Sequence, residues 1–283
     1  MSRTIRVAIQ GERGSFSEQA AIKLVGPKAS LLSCASFDDL FSAVRKGRAD
    51  IGVVPIENTL AGSIHKNYDL LLESGLQITA ETNVRIEHCL IGTRKATRKK
   101  IHTVLSHPVA LDQCRRFLRR NPRIKPIETY DTAGAVQHIV EDGDPGIAAI
   151  AGIAAAKHFG GKVLIKNIED NPENFTRFFA VERGARRKAA KSGSGESKSV
   201  KTSLVFIAKN VPGALFRCLS VFALRDINLC KIESRPLPGK PWEYLFYVDL
   251  LAATRESRTR NALRHLEEIT DFLKVLGCYP VKN

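Results

Sequence analysis

Short apolar runs and longer amphipathic stretches take turns along most of this chain. Residues 6–10 (RVAIQ) have the makings of a first strand, and residues 18–24 of a helix after it. Between them lies a glycine-containing turn, Gly11-Glu12-Arg13-Gly14-Ser15-Phe16-Ser17. Ser15 and Glu18 have the spacing of a capping box, so the turn's amides are expected to face an anion from a helix N-terminus. A second helix is predicted over 37–45. Residues 49–55 are almost continuously apolar, as in a strand buried on both faces of a parallel sheet. That strand runs into the polar group Glu57-Asn58-Thr59. A helix over 64–73 follows, with Ile64, Tyr68, Leu71 and Leu72 on its apolar side.

Residues 77–92 alternate as a strand does, and Val104-Leu105 ends in the polar turn Ser106-His107-Pro108. A helix over 110–118 is predicted to carry Gln113 in its first turn. Residues 127–132, a helix over 133–141, a strand over 146–150 and a helix over 154–159 repeat the unit. Strand, polar turn and helix in succession mean an α/β fold with mostly parallel strands. Composition then shifts to a Gly-, Ser- and Lys/Arg-rich stretch, predicted as a flexible basic linker over 184–200. Beyond it the pattern is β-α-β-β-α-β: strands over 202–209, 227–235, 243–252 and 272–279, helices over 213–224 and 255–268. That order predicts a ferredoxin-like domain over 201–283.

Length and composition add bounds. A chain of 283 residues suits two domains. No apolar run is long enough for a membrane span, and the strand pattern starts too early for a signal peptide. None of the six cysteines is spaced as Cys-x-x-Cys. They are expected to be reduced and mostly buried, Cys89, Cys218 and Cys230 among them, in a cytoplasmic protein. No metal site is expected, because the histidines do not pair with the cysteines at ligand spacing. The net charge of +15 raises a nucleic-acid partner. The cations are scattered, however, without interleaved aromatics, and no nucleic acid is expected.

One stretch concentrates chemistry: Asn174-Phe175-Thr176-Arg177-Phe178 holds a hydroxyl, a guanidinium and two aromatic rings, with no nucleophile–base pair. Four segments in order, Val54-Pro55-Ile56-Glu57-Asn58-Thr59, Ser106-His107-Pro108 with Gln113-Cys114, Asp131-Thr132-Ala133-Gly134-Ala135 and Asn174 to Phe178, resemble the motifs of prephenate dehydratase. Gly213-Ala214-Leu215 and Glu233-Ser234-Arg235-Pro236 resemble the ACT regulatory domain attached to that family. The resemblance implies a catalytic domain over 1–183 of two α/β lobes, similar to type 2 periplasmic binding proteins. The chain would cross between the lobes near 80 and 165. It implies decarboxylative dehydration of prephenate to phenylpyruvate, water and CO2 in phenylalanine synthesis, without a cofactor. Relatives acting on arogenate share the motifs. A non-catalytic sensor of the same fold is the rival from another class.

The implied chemistry suits the residues. Aromatisation drives the reaction, so the site needs a donor at the departing hydroxyl, cations or amides on the remaining carboxylate and keto group, and weak solvation of the carboxylate that is lost. The family motif puts Thr176 at the leaving hydroxyl, as hydrogen-bond donor or proton relay; taken alone it reads better as a strand threonine, and the motif reverses that. Arg177 meets the substrate beside Thr176 only if the backbone bends, and otherwise braces the lobes. Phe178 walls the ring or packs in the core. Asn58, Thr59, Ser106 and Gln113 stand at substrate-binding positions, and Glu57 is a relay partner or an acceptor of turn amides. Thr59 replaces the family's usual serine, and Val109 stands where glutamine is common. Without the motifs, Ser106 is a helix cap and Gln113 a solvated helix residue. His107 fits a structural turn.

In the small domain, Asn210, Gly213, Ala214 and Leu215 form a strand-to-helix turn able to take a carboxylate. Glu233, Ser234 and Arg235 end the next strand. The resemblance implies that the two motifs bind phenylalanine as an allosteric inhibitor across a dimer interface. It implies a homodimer or homotetramer built through ACT and catalytic domains.

Overall fold

The computed structural model describes residues 4–184, 200–237 and 239–281; the predicted linker lies almost wholly outside them. The chain divides into two compact units, Met1–Leu70 with Thr82–Ala180, and Leu71–Glu81 with Val181–Asn283.

The first unit holds most of one sheet and the whole of another. One begins with β1 (Arg6–Gln10), which pairs in parallel with β2 (Ser30–Cys34) and β3 (Ile51–Asn58). Its order is β2-β1-β3-β11-β5, with β5 at Leu76–Arg85 and β11 at Phe175–Arg183, and the two-residue β4 (Gly62–Ser63) pairs with β3. The helices α1 (Phe16–Val25), α2 (Phe37–Arg45) and α3 (His65–Ser74) belong to this part of the chain.

The other sheet comes from the intervening chain. It contains β6 (Cys89–Gly92), β7 (Thr103–Ser106), β8 (Lys125–Glu128), β9 (Ile147–Ala151) and β10 (Lys162–Ile165), in the order β10-β6-β9-β7-β8. Strands β7, β8 and β9 are parallel. One face packs on α6 (Thr132–Asp142) and α7 (Ile153–Phe159) through Ala133, Val136, Ile139 and Ala155. The opposite face packs through Ala110, Leu111 and Cys114 on α4 (Pro108–Asp112) and the turn after it, beside α5 (Arg115–Arg120). The chain passes from the first sheet to the second over 86–88 and returns over 166–174. These two segments are tied together: Ile168 N–H donates to His88 C=O, and Ile86 N–H to Asn174 C=O.

Two predicted elements break where the sequence looked continuous. The strand pattern over 77–92 is two strands in different sheets. The helix expected over 110–118 is α4 and α5, and Gln113 is the C-cap of α4 rather than a first-turn residue. Asp170 causes that break from afar. Its N–H takes the Gln113 carbonyl at 2.7 Å, and its carboxylate accepts from Arg116 N–H at 2.9 Å. Both backbone groups are thereby drawn out of a continuous helix.

The second unit contains β12 (Val200–Ala208), α8 (Ala214–Ala223), β13 (Leu229–Pro236), β14 (Tyr244–Leu250), α9 (Ser257–Ile269) and β15 (Thr270–Pro280). The sheet order β13-β14-β12-β15 is antiparallel throughout, the ferredoxin-like arrangement. Its core joins Leu204, Phe206, Val221, Phe222, Val248, Ala262 and Leu266. Cys230 corrects an expectation: β13 is an edge strand, and this thiol is exposed, as is that of Cys278. The other four cysteines are buried, and none of the six forms a disulfide. No helix among the described residues is long and apolar enough to cross a membrane.

Candidate active site

The carboxyl ends of the two sheets of the first unit face each other. The loop after β1 meets the loop after β8 and the first turn of α7: Asp131 accepts from Glu12 N–H at 3.5 Å, and Gly14 lies against Ala155. Crevices beyond the carboxyl ends of parallel strands are where α/β folds bind ligands. The anion expected at the turn after β1 is supplied by the protein itself. Glu18 accepts from Gly14 N–H, while Ser15 Oγ caps α1 by accepting from Glu18 N–H at 3.3 Å.

Strand β3 ends where β11 begins, and five of the expected site residues meet there. Asn58 is the hub. Its Nδ2 faces Asn174 Oδ1 at 2.7 Å, the Phe175 carbonyl at 3.1 Å and Thr176 Oγ1 at 2.9 Å. Its Oδ1 accepts from Leu60 and Ala61 N–H at 3.0 and 2.9 Å. Asn58 and Thr176 are each 8 % exposed. Thr59 is exposed and staples the two strands: its hydroxyl donates to the Glu173 carbonyl at 2.9 Å and accepts from Phe175 N–H at 3.0 Å. The hydroxyl that Thr59 shares with serine makes both bonds.

Regular strand geometry from Phe175 onward puts Thr176 and Arg177 on opposite faces. Glu57 and Arg177 face each other across the same two strands, 3.9 Å apart. The Arg177 guanidinium lies 4.7 Å above the Phe179 ring, a cation–π contact. Both partners of this ion pair therefore belong to one sheet. Phe178 is buried in the fold.

Ser106 and Gln113 sit on the second sheet's side. Ser106 is fully buried, and its hydroxyl donates to the Ile150 carbonyl at 2.6 Å. The cap of α4 is His107, whose Nδ1 accepts from Val109 N–H at 3.2 Å. The Gln113 Oε1 lies 2.9 Å from His88 Nε2. The return segment joins the two groups, contacting Gln113 and His88 through residues 168–170 and the Asn58 hub through 173–176.

His88 and Asn174 are site-side residues that the sequence reading did not assign. His88 is buried, its N–H donates to Glu169 at 2.9 Å, and the Phe16 ring meets it edge-on with centroids 5.7 Å apart. Burial holds its pKa below the usual histidine range, against the opposing effects of Gln113 and Glu169. Alternation over Val84, Ile86, His88 and Leu90 would have flagged it, because it puts a histidine on an inward-facing row. Asn174 is fully buried with its Nδ2 unpartnered.

The family profile described as prephenate dehydratase matches residues 7–186, which span both sheets of the first unit. The chain belongs to the prephenate dehydratase family. It is 43% identical over 286 residues to arogenate dehydratase/prephenate dehydratase 2 of Arabidopsis thaliana, a chloroplastic protein, covering 98% of this chain and 73% of the relative. Two solved structures share the fold over nearly the whole chain. One is a prephenate dehydratase of Arthrobacter aurescens in complex with L-Phe: TM-score 0.86, 30% identity, 98% of this chain and 90% of the other. The other is GqqA, described as a novel type of quorum-quenching acylase: TM-score 0.85, 31% identity, 98% of both chains.

In the second unit, Asn210 and Gly213 lie in the turn between β12 and α8. Gly213 is the N-cap with φ +75°, a left-handed conformation that suits glycine. Ala214 and Leu215 open the helix. Glu233, Ser234 and Arg235 lie on β13, with Glu233 3.3 Å from Lys231 Nζ.

Proposed function

We propose that this chain dehydrates and decarboxylates prephenate to phenylpyruvate, with Thr176 as the donor at the departing hydroxyl. One observation carries this assignment. Thr176 Oγ1 accepts from the Asn58 amide, and among the described residues its own proton has no acceptor. In the reaction the ring C–O bond breaks with its electron pair going to oxygen. The bond to the ring carboxylate breaks with its pair entering the ring, CO2 leaves, and the departing oxygen takes one proton to become water. Thr176 donates to that oxygen as charge builds on it and relays a proton from solvent. A donor fixed before the charge develops needs no reorganisation. Gln113 contributes an amide to the side-chain carboxylate or keto group. Covalent catalysis by an acylase, the word in GqqA's description, uses a nucleophile beside a base; Thr176 instead faces an amide donor.

The Arabidopsis relative's name carries both substrates, and arogenate differs from prephenate only in the side chain's amino group. Turnover of each substrate by the purified protein is the test. Phenylpyruvate from prephenate supports the proposal, arogenate turnover alone shifts the substrate, and turnover of neither refutes it.

For the second unit we propose the ACT role, with phenylalanine at the α8 turn and at Glu233 to Arg235 as feedback inhibitor. The Arthrobacter structure's bound L-Phe and the turn into α8, which has Gly213 as its N-cap and no side-chain cap, support it. A homodimer or homotetramer fits the exposed edge strand β13, the exposed Phe216 of α8 and the exposed Leu224 that caps its C-terminus. Six cysteines with no disulfide among them suit the cytoplasm. If phenylalanine and substrate act on one equilibrium, each weakens the other by the same factor; calorimetry with and without substrate measures it.

A further inference from the structure

An amide side chain has a sense, and the backbone can fix it. Leu60 and Ala61 N–H only donate, so the Asn58 atom facing them is oxygen. The NH2 group then lies on the other side, where the Phe175 carbonyl, an obligate acceptor, meets it. Thr176 Oγ1 therefore accepts, and among the described residues its proton has no protein acceptor.

The same logic holds at Gln113. Its Oε1 faces His88 Nε2 at 2.9 Å, and among the described residues its NH2 has no protein acceptor. Two arrangements fit that spacing: Nε2–H donating to Oε1, or a flipped amide donating to a bare Nε2. The second would leave an Nδ1–H buried with no partner, because His88 Nδ1 has none. Buried orphan donors are rarer than buried orphan acceptors. The first arrangement is favoured, and it leaves the Gln113 NH2 free.

We propose that Asn58 and His88 are positioning residues that set Thr176 and Gln113 as hydrogen-bond donors from behind, rather than substrate contacts. The inference deepens the proposed dehydratase reading and rests on it for its meaning. The substrate carries two carboxylates and a departing hydroxyl, all of which want donors. Both side chains can present either a donor or an acceptor, and each has its acceptor atom already occupied by protein. A free site could satisfy Thr176 or Gln113 the wrong way round; this one cannot without first breaking a buried hydrogen bond.

A mutant cycle tests the Asn58 half. N58D keeps the side chain's shape and still accepts from Leu60 and Ala61 N–H. It gives Thr176 no donor, so the threonine proton turns toward the new carboxylate. With prephenate, kcat is expected to fall about 100-fold with KM changed less than about threefold, the loss typical of one fixed donor. In a T176A background the same substitution should cost nothing more, because Asn58 acts through Thr176. Multiplied losses in the double variant, or a rise in KM alone, would overturn the proposal. Imidazole 15N NMR tests the His88 half on unmodified protein without substrate. The Nε2–H tautomer is expected, and an Nδ1–H tautomer overturns it. H88L should raise KM about tenfold with kcat little changed, and H88Q, which restores a donor near Nε2, should recover KM. Equal KM in H88L and H88Q would mean that only packing matters there. If the wild type turns over neither prephenate nor arogenate, the dehydratase reading fails, and the tautomer alone then decides the present proposal.

Discussion

Asn58 has two amide protons and three oxygens in front of them, all supplied by 174–176. A single side chain thus fixes the stretch in which the family's threonine lies. The motif made Asn58 and Thr176 legible as neighbours in function. It did not show that one faces the other, because 118 residues separate them and only the β3–β11 pairing brings them together. His88 yields a prediction at this scale. Its folded-state pKa is depressed by burial, while an unfolded histidine titrates near about 6.5. Between those values the unfolded chain binds more protons, so stability falls as pH drops below about 6.5. Thermal unfolding at pH 7 and pH 5.5 should show a smaller pH-dependent loss in H88Q than in the wild type. An identical loss would mean that other groups carry it. Cys114 is the inert counterpart: burial pushes its thiol well above the ordinary range, so native protein should be alkylated at Cys230 and Cys278 first.

The loops after parallel strands do the work at the scale of elements. Gly14, with φ +82°, lies so close to the first turn of α7 that an added Cβ would sit 2.6 Å from Ala155 Cα. Both the backbone angle and the space demand glycine here. Gly14→Ala is expected to push the β1–α1 loop off α7. Catalytic efficiency should drop about tenfold or more, since small misplacements are costly to positioned groups, while far-UV circular dichroism stays that of the wild type. Unchanged efficiency would separate this contact from the site. The alternation of strand and helix was legible from local periodicity, as was the βαββαβ order of the second unit. The division of 110–120 into α4 and α5 was not, because Asp170 makes it from another part of the chain. The short strand β2 also escaped: with two serines in five residues it lacks a strong apolar pattern.

For the whole molecule, the notable feature is that the two units do not divide at the basic linker alone. Leu71–Glu81 packs with the C-terminal part, so the boundary falls inside β5 and again inside β11, the strand that begins beside Thr176. Within the second unit, Lys201 Nζ lies 2.6 Å from the buried Glu81 carboxylate. Lys274 Nζ donates to the Leu72 carbonyl at 2.6 Å. Lys201→Ala leaves Glu81 without that cation, and breaking a buried pair costs on the order of 3 kcal/mol. A matching drop in denaturation midpoint is expected, and no drop would show the pair to be solvent-screened. The role proposed for Thr176, donor for a dehydration that ends in phenylpyruvate, is narrower than this architecture. Phenylpyruvate formation from prephenate by wild type and Thr176→Ala, beside substrate binding by calorimetry, tests it most directly. Turnover by the wild type is expected, with kcat lower by about 100-fold or more in the variant and binding within a few-fold. Equal turnover by the two proteins would contradict it.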